Sequence, residues 1–177
     1  MLGCTPPGRH TEQHDIYFTI STSLEASVPG INEFWPEANG KIHIDAWREV
    51  NLVDGFKVEV VAKNEATEQT ALKLFFLNLG GYKPGEFDEP HYKLLIVAPD
   101  MAAAVKQAKH TAFYKHTGFV GASSHIDDRY GVDVDDVFEV HEILPKAIRD
   151  NFSLQFTEAK DVVPDVFNLG YLKLFKS

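Results

Sequence analysis

A single cysteine, Cys4, in 177 residues leaves no partner for a disulfide within the chain and excludes a cysteine-based metal cage. Basic charge is scarce too. Seventeen Lys and Arg stand against 26 Asp and Glu, a net charge of −9. Such a surface repels phosphate backbones and anionic lipid alike, so nucleic acid and membrane are excluded as partners. No apolar run approaches the length that spans a bilayer. The first residues lack a basic stretch followed by an apolar one, so no signal peptide is expected and the cytoplasm is the default compartment. What is present suffices for an ordinary core: 44% of the residues are apolar, and the length suits one domain or two small ones.

The chain repeats itself. Leu2-Gly3, Pro7-Gly8, Glu12 and His14 recur as Leu79-Gly80, Pro84-Gly85, Glu89 and His91, at a constant offset of 77. A second block, His43-Ile44-Asp45 with Asp54, Phe56 and Val58, recurs as His125-Ile126-Asp127 with Asp136, Phe138 and Val140, at an offset of 82. The repeated residues are those that turns and sites use rather than common core residues. Repetition thus proposes an architecture and a place to look for chemistry.

The second copy reads as β-loop-β-α-β-β. Ala71 to Leu77 is a β-prone run that Gly80-Gly81 should end, and Tyr92 to Val97 is a second strand. Asp100 is a good N-cap, with Met101, Ala104, Val105, Ala108 and Ala112 behind it at helical spacing and an end expected near Thr117-Gly118. Ser124 to Val132 looks extended, and Val137 to Ile143 alternates as a half-buried strand. In the first copy, Pro29 falls inside the helical segment from Ser23 to Trp35. Proline removes a hydrogen bond there, so a short turn followed by a second short helix is expected. This copy also lacks a leading strand equivalent to Ala71–Leu77. The tail from Tyr171 to Phe175 resembles that strand and could fill a vacant edge, from its own chain or from a partner as a homodimer. The segment from Lys146 to Lys160 is amphipathic and expected to be partly helical.

Each copy places Glu-x-His at the end of its loop: Glu12 and His14, then Glu89 and His91. Each also carries His-x-Asp: His43 and Asp45, then His125 and Asp127. Residues two apart on an extended chain point to one face, so each pair projects together. If loop and third strand are neighbours, a copy assembles two imidazoles and two carboxylates. Such a set can bind a divalent metal, do acid–base work, or tie down an irregular loop. No H-E-x-x-H or comparable signature decides among these. Arg9 and His10, on the first loop only, could hold an anionic small-molecule ligand. Cys4 near His10 and His14 allows a thiol nucleophile on paper, although Gly81 takes its place in the second copy. Gly80-Gly81 with Pro84-Gly85 resembles a phosphate loop only superficially, because no Lys-Ser/Thr follows and the next element is a strand.

Leu-Gly, Pro-Gly and Glu-x-His, with His43-Ile44-Asp45-Ala46-Trp47-Arg48-Glu49 and Val53-Asp54-Gly55-Phe56 downstream, resemble the bacterial family known as domain of unknown function 1543. The resemblance covers roughly 2–61 and 72–143. It implies one or two copies of the domain and a leading strand before Leu-Gly, so the native start is expected upstream of Met1. It implies no activity or cofactor. The expected fold is α+β: two pseudo-symmetric β-β-α-β-β repeats, 1–62 and 71–144, with an extension over 145–177, packed into one domain on a mixed or antiparallel sheet. The expected function is a duplicated Glu/His/Asp site for a small molecule or metal, enzymatic or not. The alternative is a self-associating module in which these residues only brace loops.

Overall fold

The computed structural model describes residues 1–65, 71–81, 85–111, 132–160 and 163–174. The class is α+β, and every strand pairing among the described residues is antiparallel. The first half runs β1 (Leu2–Cys4), β2 (Gln13–Asp15), α1 (Leu24–Phe34), a 3-10 turn (Pro36–Ala38), β3 (His43–Trp47), β4 (Leu52–Val53) and β5 (Phe56–Ala62). There follow β6 (Lys73–Gly81), β7 (His91–Ala98), α2 (Met101–Ala108), β8 (Val132–Glu139), α3 (Val140–Ile143), α4 (Lys146–Arg149), β9 (Phe152–Glu158) and β10 (Asn168–Lys173). Three sheets result, ordered β10-β3-β1-β2, β4-β5-β9 and β7-β6-β8.

Strand β6 explains the layering. Leu74, Phe75, Phe76, Leu77 and Leu79 form an almost unbroken apolar run, as a strand buried on both faces requires. Alternation sends Phe75, Leu77 and Leu79 to one side, where they pack with Ile96 and with Ala104 and Ala108 of α2. Leu74 and Phe76 go to the other, where Val53, Val58 and Phe156 from the β4-β5-β9 sheet meet them. The first-half sheet has its own cluster: Leu2, Cys4 and Ile44 against Ile31 of α1, with Ala38 and Ile42. Asp54 and Gly55 have φ of 52° and 80°, the left-handed pair of a tight two-residue hairpin between β4 and β5. Asp54 Oδ2 then accepts the Val97 N–H at 3.0 Å, joining that hairpin to β7.

Asp100 caps α2 as its sequence predicts, with Oδ1 accepting the Ala103 N–H at 2.8 Å. Four local readings are corrected. The first-half helix is continuous from Leu24 to Phe34 despite Pro29. Only the bond to the exposed Glu25 carbonyl is forgone, and water can replace it there. Helix α2 ends at Ala108 rather than near Thr117-Gly118, and a turn follows at Lys109-His110. Strand β6 continues through Gly80-Gly81 instead of ending before them. The strand expected over Val137 to Ile143 stops at Glu139, because Val140 and Leu144 are both buried and lie one helical turn apart.

Residues beyond 145 complete the first-half sheets. β9 pairs with β5 along its whole length, from Phe56↔Glu158 to Ala62↔Phe152. β10 covers the β3 edge, with Leu172 opposite Ile44 and Lys173 opposite His43. The tail therefore lies beside β3 in its own chain, not beyond the short β1. Its anchor is Asp165, whose side chain is 3% exposed. That carboxylate accepts the Asn51 N–H at 3.2 Å and the Leu52 N–H at 3.4 Å, with the Arg48 guanidinium 3.8 Å away. Arg48 in turn lies 4.9 Å over the Phe167 ring. Asp165→Ala is expected to lower unfolding free energy by about 1.5–3 kcal/mol, the contribution of hydrogen bonds to a charged group. A urea midpoint equal to that of the parent would reject the anchor role.

Candidate functional site

Gly3 lies at the centre of the first-half sheet. In the register it stands opposite His14 of β2 on one side and His43 of β3 on the other. Opposed residues share a face, and so do residues two apart. His14, His43, Asp45 and Glu12 thus meet over Gly3, on the side away from the Leu2, Cys4 and Ile44 cluster. The contacts alternate around a closed ring. Glu12 reaches His14 Nε2 at 3.5 Å through Oε2 and His43 Nε2 at 3.0 Å through Oε1. Asp45 reaches His14 Nε2 at 3.5 Å through Oδ2 and His43 Nε2 at 3.1 Å through Oδ1.

Burial is graded across the ring. His43 and Asp45 are 10% and 20% exposed, whereas His14 and Glu12 are 43% and 42% exposed. The Tyr171 ring of β10 lies on His43 with centroids 4.4 Å apart. Asp45 is held from behind by its own N–H, which donates to Met1 O at 3.0 Å. Its Oδ2 is nevertheless buried without a hydrogen bond. His14 Nε2 lies 3.5 Å from it, too poorly placed for a hydrogen bond, and a cation among these four groups would satisfy the oxygen. The absent side chain of Gly3 makes the space: a Cβ there would sit 2.5 Å from both Asp45 Oδ2 and His43 Nε2.

Chemically, two imidazole nitrogens and two carboxylates are a competent ligand set for a divalent ion. A tetrahedral ion with bonds of about 2.0–2.2 Å has ligand–ligand edges of roughly 3.3–3.6 Å; the four imidazole–carboxylate contacts match that spacing but use both oxygens of each acid, so the ring must contract across its diagonals to hold one ion. Arg9 and His10 are exposed on the same loop, and no ion pair joins either to the ring among the described residues. Cys4 faces the opposite way, 1% exposed. Burial pushes its thiol up, the Glu12 carboxylate adds to this, and Lys41 opposes it. A thiol so placed is an inert core residue, not a nucleophile.

In the second half, Gly80 stands opposite His91 of β7, and Glu89 lies two residues before His91. His125 and Asp127 lie outside the described residues. The strand flanking Gly80 presents Asp133 and Val134 in the register where β3 presents His43 and Ile44 beside β1, an offset of 90 rather than 82. Asp135 follows, and His91 Nε2 is 3.2 Å from its Oδ2. Asp135 is the site residue that the matching of sequence blocks misses. The alternation Val132-Asp133-Val134-Asp135 beside a strand glycine was the available signal. Two depressions lie on the surface among the described residues. One of about 280 Å³ is lined by Glu86 to Glu89, with Phe87 fully exposed. A larger one of about 510 Å³ lies between α1 and the segment from Ile143 to Ile148, and the quartet does not line it.

Residues 9–60 match the family described as Domain of Unknown Function (DUF1543). No curated protein matches the chain. The crystal structure of a protein Il1583 from Idiomarina loihiensis is similar, with a TM-score of 0.57 at 22% identity over 99% of this chain and 94% of that one. At that identity the likeness speaks to the fold alone.

Proposed function

We propose that the stretch shared with the domain of unknown function 1543 is a metal-binding unit, in which Glu12, His14, His43 and Asp45 hold one divalent ion of the zinc class. All four residues fall within the matched residues 9–60. The observation that carries the reading is the ring of alternating imidazole–carboxylate contacts at 3.0–3.5 Å. Asp45 Oδ2, buried without a hydrogen bond, supports it. Two imidazoles favour zinc and its neighbours over magnesium or calcium. The exposure of His14 and Glu12 leaves one side of the ion open to water or a small molecule, unlike a closed structural site. Arg9 and His10, exposed on the loop that carries Glu12, would favour an anionic small molecule there. Whether such a ligand is bound or converted is a matter of what the open position holds.

The same reading takes 1–62 and 71–144 as pseudo-symmetric halves of one domain, extended by 145–177. The matching registers, Leu2↔Asp15 with Gly3↔His14 and Leu79↔Tyr92 with Gly80↔His91, support it. Gly80 and His91 are then the counterparts of Gly3 and His14.

The test is zinc titration of chelator-stripped protein by calorimetry. The unaltered chain is expected to take zinc with a Kd of micromolar or tighter. His43→Asn and Asp45→Asn are expected to weaken it by at least about 100-fold, the upper end of what even supporting residues contribute. Zinc binding that is absent, or unaffected by both changes, leaves the loop-bracing alternative. The quartet then holds the loop after β1 against β3.

A further inference from the structure

Glu89, His91 and Asp135 form a second group of ligand-bearing side chains, sharing no residue with the quartet and lying on a different sheet. Each offers one ligand atom, and these atoms all lie within 4.8 Å of one another. Three separate elements deliver them: the end of the loop before β7, the first residue of β7, and the middle of β8. Between them runs β6 at Gly80, where no side chain intervenes. A Cβ on Gly80 would collide with Asp135 Oδ2. The glycine therefore leaves space for the carboxylate to lean over the strand toward His91, as Gly3 does for His43 and Asp45.

The ligand set differs from that of the quartet in a way that predicts a different occupant. It has one imidazole and two carboxylates. Oxygen-rich sets suit hard ions such as magnesium, calcium and manganese, and one imidazole favours manganese among these. Three protein ligands leave half of an octahedral shell to water or to an anionic ligand. His91 and Asp135 are 36% and 32% exposed, open enough for exchange. The exposed carboxylates of Glu86 and Asp88 border the same loop and raise the local concentration of cations.

We propose that Glu89, His91 and Asp135 are a second divalent-cation site, independent of the first and oxygen-rich enough to take an ion of the manganese class. The site does not require the first-half reading to hold.

The experiment uses the full chain, stripped of metal, and manganese chloride alone. Electron paramagnetic resonance counts free against bound manganese. The unaltered chain is expected to bind one manganese with a Kd tighter than about 1 mM. Asp135→Asn and His91→Asn are expected to weaken it by about 10–100-fold or more, while the zinc binding that His43→Asn removes is retained. His43→Asn is expected to leave manganese binding intact. Gly80→Ala keeps every ligand yet moves Asp135, and is expected to weaken manganese as well. Should Asp135→Asn lose its native circular dichroism, His91→Asn on the loop-proximal end of β7 decides the question. Manganese bound equally by the parent, Asp135→Asn and His91→Asn overturns the proposal, as does a parent that binds none. Failure of the first-half site has a separate signature: zinc binding is unaffected by His43→Asn, while manganese binding and its loss in Asp135→Asn persist.

Discussion

Gly3→Ala is expected to abolish zinc binding while leaving the fold in place. The added Cβ would come 2.5 Å from His43 Nε2 and 2.5 Å from Asp45 Oδ2, far inside van der Waals distance. Both are the ends of side chains, so they can swing aside where a backbone atom could not. The ring must open when they do. Two ligands displaced together should cost more than the roughly 10–100-fold that loss of a supporting residue costs. Stability should hardly move. The ion pairs that the swing would break are partly solvated and contribute about 0–1 kcal/mol each. Against this, alanine in a strand interior is worth about 0.5–1 kcal/mol over glycine. The measurement is a paired one, a calorimetric zinc titration and a thermal melt. A protein that binds zinc normally refutes the cradle. A large drop in melting temperature with zinc binding retained identifies the quartet as a brace.

The second large effect is on the core. Phe75→Ala is expected to cost about 3–5 kcal/mol, the range for truncating a buried aromatic ring. Phe75 is 2% exposed and lies on the β6 face that meets Ile96, Ala104 and Ala108. Its neighbours there are small helical alanines, so the collapse needed to fill the hole would require α2 to move bodily toward the sheet. Rigid elements relax little, which places the cost toward the upper part of the range. Against a total stability of about 5–15 kcal/mol, much of the folded population's margin is lost. Denaturant titration reads the change, with Phe87→Ala as reference, since that ring is exposed on its loop. A midpoint for Phe75→Ala within error of Phe87→Ala would show that α2 does not depend on this face.

The two i, i+2 pairs, Glu12 with His14 and His43 with Asp45, were legible because strand geometry alone puts alternate residues on one face. Their convergence was not, since it depends on β1 lying between β2 and β3. A glycine in sequence suggests a turn, whereas Gly3 and Gly80 serve as strand positions without a side chain. Asp135 is hidden when identical letters are matched, His-Ile-Asp to His-Ile-Asp. Backbone register instead sets Asp133 against Gly80. Pro29 misleads in the opposite direction: a local rule predicts a break that the packing of Val28 and Ile31 overrides. The role of the last thirty or so residues carries almost no local signal. Nothing within Phe152–Glu158 says that its partner is β5, and a β-prone segment does not name the edge it will cover.

The anchoring of Asn51 N–H by Asp165, 114 residues later, sets an order of events on the ribosome. When residues 1–62 have emerged, β3 and β5 each present a bare edge, and they keep it until Phe152–Glu158 and Asn168–Lys173 are made. At about 5–20 residues per second, that interval lasts on the order of ten seconds. Exposed strand edges in a nascent chain are templates for wrong pairing, and pairings so distant in sequence slow productive closure. Yield on synthesis in cells is accordingly expected to depend on the last segment more than its modest share of the core suggests. A chain interrupted before Phe152 is expected to aggregate or to engage a chaperone rather than to form a smaller stable domain.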